Sequence, residues 1–122
     1  MDIDISTEPE PSSGISTRNS DDATVLTLWG EVDAALREAA SDAMAALAVR
    51  GTVRPIVLDV RDVTFIDSSG IAFILQVYML GQETGTPVRL RDPSDAVSEV
   101  LEMVGMGGRI PVDASEPTGR VG

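Results

Sequence analysis

Asp67, Ser68, Ser69 and Gly70 are consecutive residues whose types could support a chemical event. They stand between an apolar, strand-like segment and an apolar, helix-like one, which places them around a helix N-terminus. Unpaired amides there favour oxygen acceptors and negative charge, so any of the three polar side chains could cap the helix. One reading is that they only cap. Two serines exceed what a cap needs, so we expect one free hydroxyl, with Gly70 keeping the surface beside it bare for another protein.

The composition argues against an enzyme. The sequence has no histidine, cysteine or lysine, so a serine nucleophile would have only carboxylates as candidate bases, and the GxSxG elbow is missing. Disulfides and zinc sites built on Cys or His are excluded. Residues 105–108 lack the P-loop lysine and the third glycine of a dinucleotide fingerprint, and they predict a helix stop and turn. We therefore expect no catalytic residue, no metal and no cofactor.

Acidic residues at predicted strand ends raise one rival, a phospho-acceptor aspartate with magnesium as in receiver domains. That design needs a paired acidic cluster, and receiver domains also use a lysine, which this chain lacks. The residues concerned are Glu31, Asp33, Asp59, Asp62 and Asp67.

The net charge is −11, and residues 14–112 carry −6 of it from 14 acidic and 8 basic residues. Such a chain repels phosphate backbones and anionic lipid surfaces, so we expect no nucleic-acid partner. Apolar runs such as residues 71–75 are far too short to span a membrane, and the N-terminus has no signal-peptide pattern. These features predict a cytoplasmic protein without membrane insertion.

The elements before the turn follow from residue periodicity. Residues 24–29 are rich in β-branched and aromatic side chains, and they predict a strand paired as a hairpin with a weaker strand at 15–19. Gly30 is expected to end that strand and Asp33 to cap a helix that runs to Gly51. The apolar positions of this helix recur at helical spacing: Leu36, Ala40, Met44 and Leu47.

Residues 55–60 are apolar apart from Asp59, a pattern typical of a parallel strand covered on both faces. We expect residues 63–66 to tuck the chain beneath the sheet and residues 71–80 to form a helix stopped by Gly81 and Gly85. The strand at 24–29, the first helix and the strand at 55–60 make a βαβ unit.

After a short strand at 88–90, Asp92 and Pro93 are expected to open a further helix that ends at Gly105. A last short strand is predicted at 110–112. Together these elements predict a single α/β domain with a four- to five-stranded mixed sheet and three to four helices packed on it. We expect a disordered acidic leader at 1–13, the domain at 14–112 and a flexible tail at 113–122.

The helix after the turn is apolar on two sides, which is unusual for a surface helix. It is either sandwiched between the sheet and neighbouring helices, which we favour, or its second face meets a partner. One face carries Ile71, Ile74, Leu75 and Tyr78, and the other carries Phe73, Val77 and Leu80.

Two segments resemble the STAS domain, specifically the anti-sigma factor antagonists. Residues 26–35, LTLWGEVDAA, are similar to the family's strand that ends in a glycine-acid-hydrophobic-aspartate pattern. Residues 56–75, IVLDVRDVTFIDSSGIAFIL, are similar to its central signature.

The resemblance implies that Ser69, the second serine of the turn, is phosphorylated. It implies a partner surface at the turn that also includes Asp33, together with Asp67, Ser68, Gly70 and Phe73 near the same hydroxyl. The implied partners are an anti-sigma factor that is a serine kinase, and a metal-dependent serine phosphatase that acts on the phosphorylated form. The unphosphorylated protein would bind the anti-sigma factor and free a sigma factor.

STAS domains also occur without sigma factors, and the turn does not choose among their roles. The alternative is a constitutive adaptor subunit of a lipid-transport or stress-sensing assembly, in which the serine only caps the helix.

Overall fold

The chain folds into one mixed sheet with helices packed on it, as the sequence predicted. The computed structural model describes residues 12–50 and 54–113. Five strands follow one another across the sheet in chain order; the first pair is antiparallel and the later pairs are parallel. The elements are β1 (Gly14–Asn19), β2 (Thr24–Val32), a 3₁₀ turn (Ala34–Leu36), α1 (Arg37–Arg50), β3 (Ile56–Ile66), α2 (Ser68–Thr84), β4 (Val88–Arg91), α3 (Asp95–Met103) and β5 (Val112–Asp113).

Strand β2 does not end at Gly30, which corrects our prediction. Gly30 has a φ of 76° and sits at a register shift in the β2–β3 pairing, so it forms a bulge inside the strand. A Cβ at this position would lie 2.1 Å from the Ser12 carbonyl oxygen, so a side chain does not fit. Pairing resumes beyond the bulge and carries β2 on to Val32.

Ser13 belongs to the folded structure, although we assigned it to the leader. Its hydroxyl accepts a hydrogen bond of 2.9 Å from the Glu31 amide, just beyond the bulge. Ser12 is also among the described residues. Residues 1–11 of the predicted leader lie outside them, as do residues 114–122 of the predicted tail and Gly51, the predicted end of the first helix.

Strand β3 continues to Ile66, whereas we expected residues 63–66 to leave the sheet. Val63 pairs with Gly30 and Ile66 pairs with Val32, so the two parallel strands end side by side. Each is followed by a helical segment. The start of both helical segments is therefore held at the same edge of the sheet.

The core lies between the sheet and the three helices. It joins buried side chains of β2, β3 and β4 with residues of α1, α2 and α3. Both apolar sides of α2 take part: Ile71, Ile74, Phe73 and Val77 are all buried. The sandwiched reading of this helix is thus confirmed. The helix also exceeds the predicted 71–80, because it begins at Ser68, passes Gly81 and ends at Gly85.

The third helix begins later than predicted. Its N-cap is Ser94, whose hydroxyl accepts from the Val97 amide, and not Asp92. Asp92 instead adopts a φ of 50° and pairs with Arg61 at 3.9 Å. The segment 105–108 is a turn, as predicted, and the last strand is Val112–Asp113 in place of 110–112.

None of the helices in the described part of the chain is long and apolar enough to cross a membrane.

Candidate functional site

Two aspartates stand at the ends of the paired strands, and each caps the helical segment that follows. The Asp33 carboxylate accepts a 3.0 Å hydrogen bond from the Ala35 amide. The Asp67 carboxylate accepts from the amides of Ser69, at 2.9 Å, and Gly70, at 3.2 Å. These bonds satisfy amides that a helix N-terminus otherwise leaves unpaired. The cap of α2 is therefore Asp67, and the serines are not needed for it.

Ser68 and Ser69 lie in the first turn of α2 and are exposed. Within residues 12–50 and 54–113, neither hydroxyl has a hydrogen-bond partner. Ser69 lines a surface cleft that Ser68 does not line. The two adjacent serines therefore have the same chemistry but different surroundings, because only Ser69 borders the cleft.

We predicted that Gly70 keeps the surface beside the serine hydroxyl bare, but the structure shows that a side chain here would clash with the core. Gly70 is buried against the end of β2, where a Cβ would lie 2.5 Å from the Val32 carbonyl oxygen and 2.6 Å from Cγ1 of Ile66. The same carbonyl accepts a 3.3 Å hydrogen bond from the Asp67 amide. The missing side chain lets α2 start directly against both strand ends, which sets the position of Ser69.

The surface cleft, which we call the Ser69 cleft, has a volume of about 510 Å³ and separates the first turns of α1 and α2. Apolar side chains form much of its wall: Ile15, Leu36, Ala40, Met44 and Phe73. Polar side chains also line it: Asp33, Arg37, Ser41, Ser69 and Gln76. An apolar wall with a few polar groups is typical of a surface that accepts a side chain or ligand.

The cleft brings together four of the six residues predicted for partner binding. Asp33, Ser69, Gly70 and Phe73 line it, whereas Asp67 and Ser68 do not. Phe73 is only 4% exposed, so it forms part of the cleft wall and not a protruding contact.

Sequence reasoning missed the contribution of α1 to the cleft. Ala40 and Met44 of α1, and Leu36 of the preceding 3₁₀ turn, were identified only as apolar positions at helical spacing; all three are partly buried and line the cleft. Arg37 carried no sequence signal, because a single arginine on a helix is ordinarily a solvated side chain. Gln76 is a polar residue among the apolar side chains of α2, and the sequence pattern gave it no role.

Three of the acidic residues considered for a receiver-type site have structural roles. Asp33 and Asp67 act as caps, and Asp59 lies 3.9 Å from Arg61. In the two described stretches of chain, no group of three or more acidic side chains is placed to hold a metal ion.

Comparisons with known proteins give one family match and several structural relatives. A family model described as "Mlab, STAS domain" matches residues 15–112. The anti-sigma factor antagonist SpoIIAA in its unphosphorylated form is 21% identical with a TM-score of 0.68, over 85% of this chain and 90% of that chain. The Bacillus cell fate determinant SpoIIAA in the phosphorylated form is 20% identical with a TM-score of 0.66, over 85% and 93%.

A variant of RsbS from Moorella thermoacetica is also similar. It is 16% identical with a TM-score of 0.71, over 84% of this chain and 87% of that chain. At these identities the structural likeness concerns the fold.

Proposed function

This chain belongs to the STAS-domain family, and from that premise we propose that it is an anti-sigma factor antagonist acting in the cytoplasm. Its unphosphorylated form binds an anti-sigma factor that is also a serine kinase, and this binding frees a sigma factor. Phosphorylation of Ser69 breaks the complex, and a metal-dependent serine phosphatase restores it. The protein is a binding switch and not an enzyme. The proposal is supported by the fold that the chain shares with SpoIIAA, an anti-sigma factor antagonist known in both forms.

The free hydroxyl of Ser69 is the single observation that carries the proposal. It is exposed, it has no hydrogen-bond partner among the described residues, and it lines an apolar cleft. Because Asp67 already caps α2, a kinase could modify Ser69 without removing a bond that the helix needs.

A phosphate at this position would act on the partner's contact. It adds about −1.5 to −2 charges at neutral pH, at the lining of a cleft that already contains the Asp33 carboxylate. If a partner side chain occupied the cleft, binding would have to desolvate the phosphate or place it beside a like charge. Either effect costs several kcal/mol of binding free energy in protein interfaces. That is enough to convert a mostly formed complex into a mostly dissociated one.

The test uses the cognate kinase with ATP and three proteins: the parent chain, Ser69→Ala and Ser68→Ala. We expect stoichiometric phosphate on the parent and on Ser68→Ala, and none on Ser69→Ala, as measured by intact mass and peptide mapping. Ser68 is a matched control, because it is also exposed and lies in the same helical turn. Phosphate that persists after Ser69→Ala would overturn the assignment.

The second candidate is a constitutive STAS adaptor subunit of a lipid-transport or stress-sensing assembly. Two observations favour it: the matching family model is described by the name Mlab and not by sigma regulation, and the Ser69 cleft is open without any modification. The serine would not act as the cap in this role, since Asp67 caps the helix. Purification of the native complex separates the candidates, because co-eluting transporter subunits would exclude the first.

A further inference from the structure

Arg37 is the only basic residue that lines the Ser69 cleft in the part of the chain that the structure describes. It is exposed in the first turn of α1, and its guanidinium has no ion pair or hydrogen bond with any described residue. Arg61, by contrast, pairs with Asp59 and Asp92, each at 3.9 Å. A cation that has no partner among the described residues is available to an anion that enters the cleft.

The strand ends hold Arg37 and Ser69 on opposite sides of one opening. The Val32 carbonyl oxygen accepts from the Asp67 amide and lies against Gly70, the residue that follows Ser69. Arg37 begins α1, only five positions along the chain from Val32. The backbone on each side is fixed by a cap, at Asp33 and at Asp67. Both side chains are exposed and line the same cleft, so each can change rotamer within it.

We propose that Arg37 binds the phosphate of phosphorylated Ser69 within the same molecule and thereby closes the Ser69 cleft. A guanidinium presents a planar fork of donors that matches phosphate oxygens, and the charge-assisted bonds it forms are among the strong ones. This inference rests on the proposed function, because it takes Ser69 as the modified residue. Phosphorylation then neutralises the cleft's cation at the same time as it adds an anion.

The other charged groups around the phosphate oppose this pair. Asp33 lines the cleft and Asp67 caps the same helix, so both carboxylates disfavour the dianionic phosphate. Glu38 follows Arg37 in the first turn of α1, and Glu31 stands near the end of β2, both outside the cleft lining. Arg37 is thus the only cation among the described residues that line the cleft, and its removal makes the dianion less stable.

The experiment installs phosphoserine at position 69 during translation and follows its ³¹P resonance as the pH is changed. The second pKa of phosphoserine is about 6. A nearby cation stabilises the dianion and lowers that pKa, so Arg37→Gln should raise it relative to the phosphorylated parent. For an exposed pair we expect a rise of about 0.3–0.7 unit. Arg37→Lys should give a smaller rise, since it keeps the charge but loses the fork.

Arg18→Gln is the matched control, because Arg18 is an exposed arginine on β1 that does not line the cleft. It should leave the ³¹P titration unchanged. Equal pKa values in the phosphorylated parent and Arg37→Gln would overturn the proposal, as would an equal rise in Arg18→Gln. Because the phosphate is installed without a kinase, this result is independent of whether a kinase modifies Ser69, and the two proposals can fail separately.

Discussion

The Asp67 carboxylate is the N-cap of α2, so the hydroxyls of Ser68 and Ser69 are not needed for capping. It accepts hydrogen bonds from the amides of Ser69 and Gly70, which are the bonds that a serine cap would otherwise supply. In a sequence, Asp and Ser are both good caps, so the pattern alone cannot assign the role. At the scale of single residues, the cap and the modifiable hydroxyl are therefore separate groups.

Replacing Asp67 should test this division of roles. We expect Asp67→Ala to lower the free energy of unfolding by about 0.5–2 kcal/mol, the usual cost of losing an N-cap. Asp67→Asn should change the free energy of unfolding by only a few tenths of a kcal/mol, because Asn is as good an N-cap as Asp. This variant removes the charge and keeps the cap. Urea unfolding followed by circular dichroism measures both.

Ser68→Ala is the control for the cap, since the Ser68 hydroxyl has no hydrogen-bond partner among the described residues. Its effect should stay within about 0.5 kcal/mol, as for most surface substitutions. A loss as large as that of Asp67→Ala would show that the serine shares the cap.

At the scale of elements, the site is made by two parallel strands that end together. Strand propensity and helical spacing were enough to predict the order of strands and helices and the position of the serine turn. They did not predict where β2 and β3 end. Gly30 reads locally as a strand terminator, and it is only its packing against Ser12 and Ser13, with pairing beyond it, that makes it a bulge.

Residues on β3 and α1 were misread for related reasons. Arg61, Asp62 and Thr64 are polar and suggest a loop, yet pairing with β2 keeps this segment in the strand. Leu36 and Met44 have the spacing of core residues, but the gap between α1 and α2 leaves them partly exposed in the cleft. Strand pairing decides the first case and helix packing decides the second. Both are tertiary contacts, which a local sequence pattern does not predict.

Gly70→Ala should loosen the junction between β2, β3 and α2. The added methyl group would approach the Val32 carbonyl and the Ile66 side chain to within 2.6 Å, so backbone must move. We expect a loss of about 1–3 kcal/mol in the free energy of unfolding, the usual cost of overpacking. Partner binding should fall as well, because the same contact positions Ser69.

Gly107→Ala provides the comparison for that experiment, because the atom nearest to a Cβ there is Cγ of Glu102, at 2.8 Å, and this exposed side chain can move into solvent. Denaturant unfolding should show little change for it. If both alanine variants were equally stable, the close approach of Gly70 to Val32 would not matter for the fold.

At the scale of the whole molecule, charge decides which partners are compatible. The chain carries −11 overall, and its cleft contains one acidic and one basic side chain, Asp33 and Arg37. A single added negative charge in this cleft therefore changes the local balance, although it is small against the total. The proposed switch depends on where the charge is placed.

Ser69→Asp should reproduce part of that effect. We expect its affinity for the cognate anti-sigma factor to fall at least tenfold, about 1.4 kcal/mol, because the carboxylate stands where the partner packs. The melting temperature should change little, since an acidic residue in the first helical turn is favourable. Calorimetric titration and thermal unfolding measure the two quantities.

Ser68→Asp adds the same charge one residue away and outside the cleft lining, so it should weaken binding less. Parallel loss of affinity and stability in Ser69→Asp would assign Ser69 a structural role. Unchanged affinity for a co-purified partner would favour the constitutive adaptor.

The hydrogen bond between the Asp67 amide and the Val32 carbonyl also affects how fast the protein could respond to phosphorylation. It joins the two strand ends without using the Ser69 hydroxyl, so a phosphate could be added or removed while every hydrogen bond described at this junction stays in place. No refolding step would then delay the response. The state of the switch would be stored as the presence or absence of one phosphate ester on Ser69. The turnover of the kinase and the phosphatase would then set how quickly that state changes.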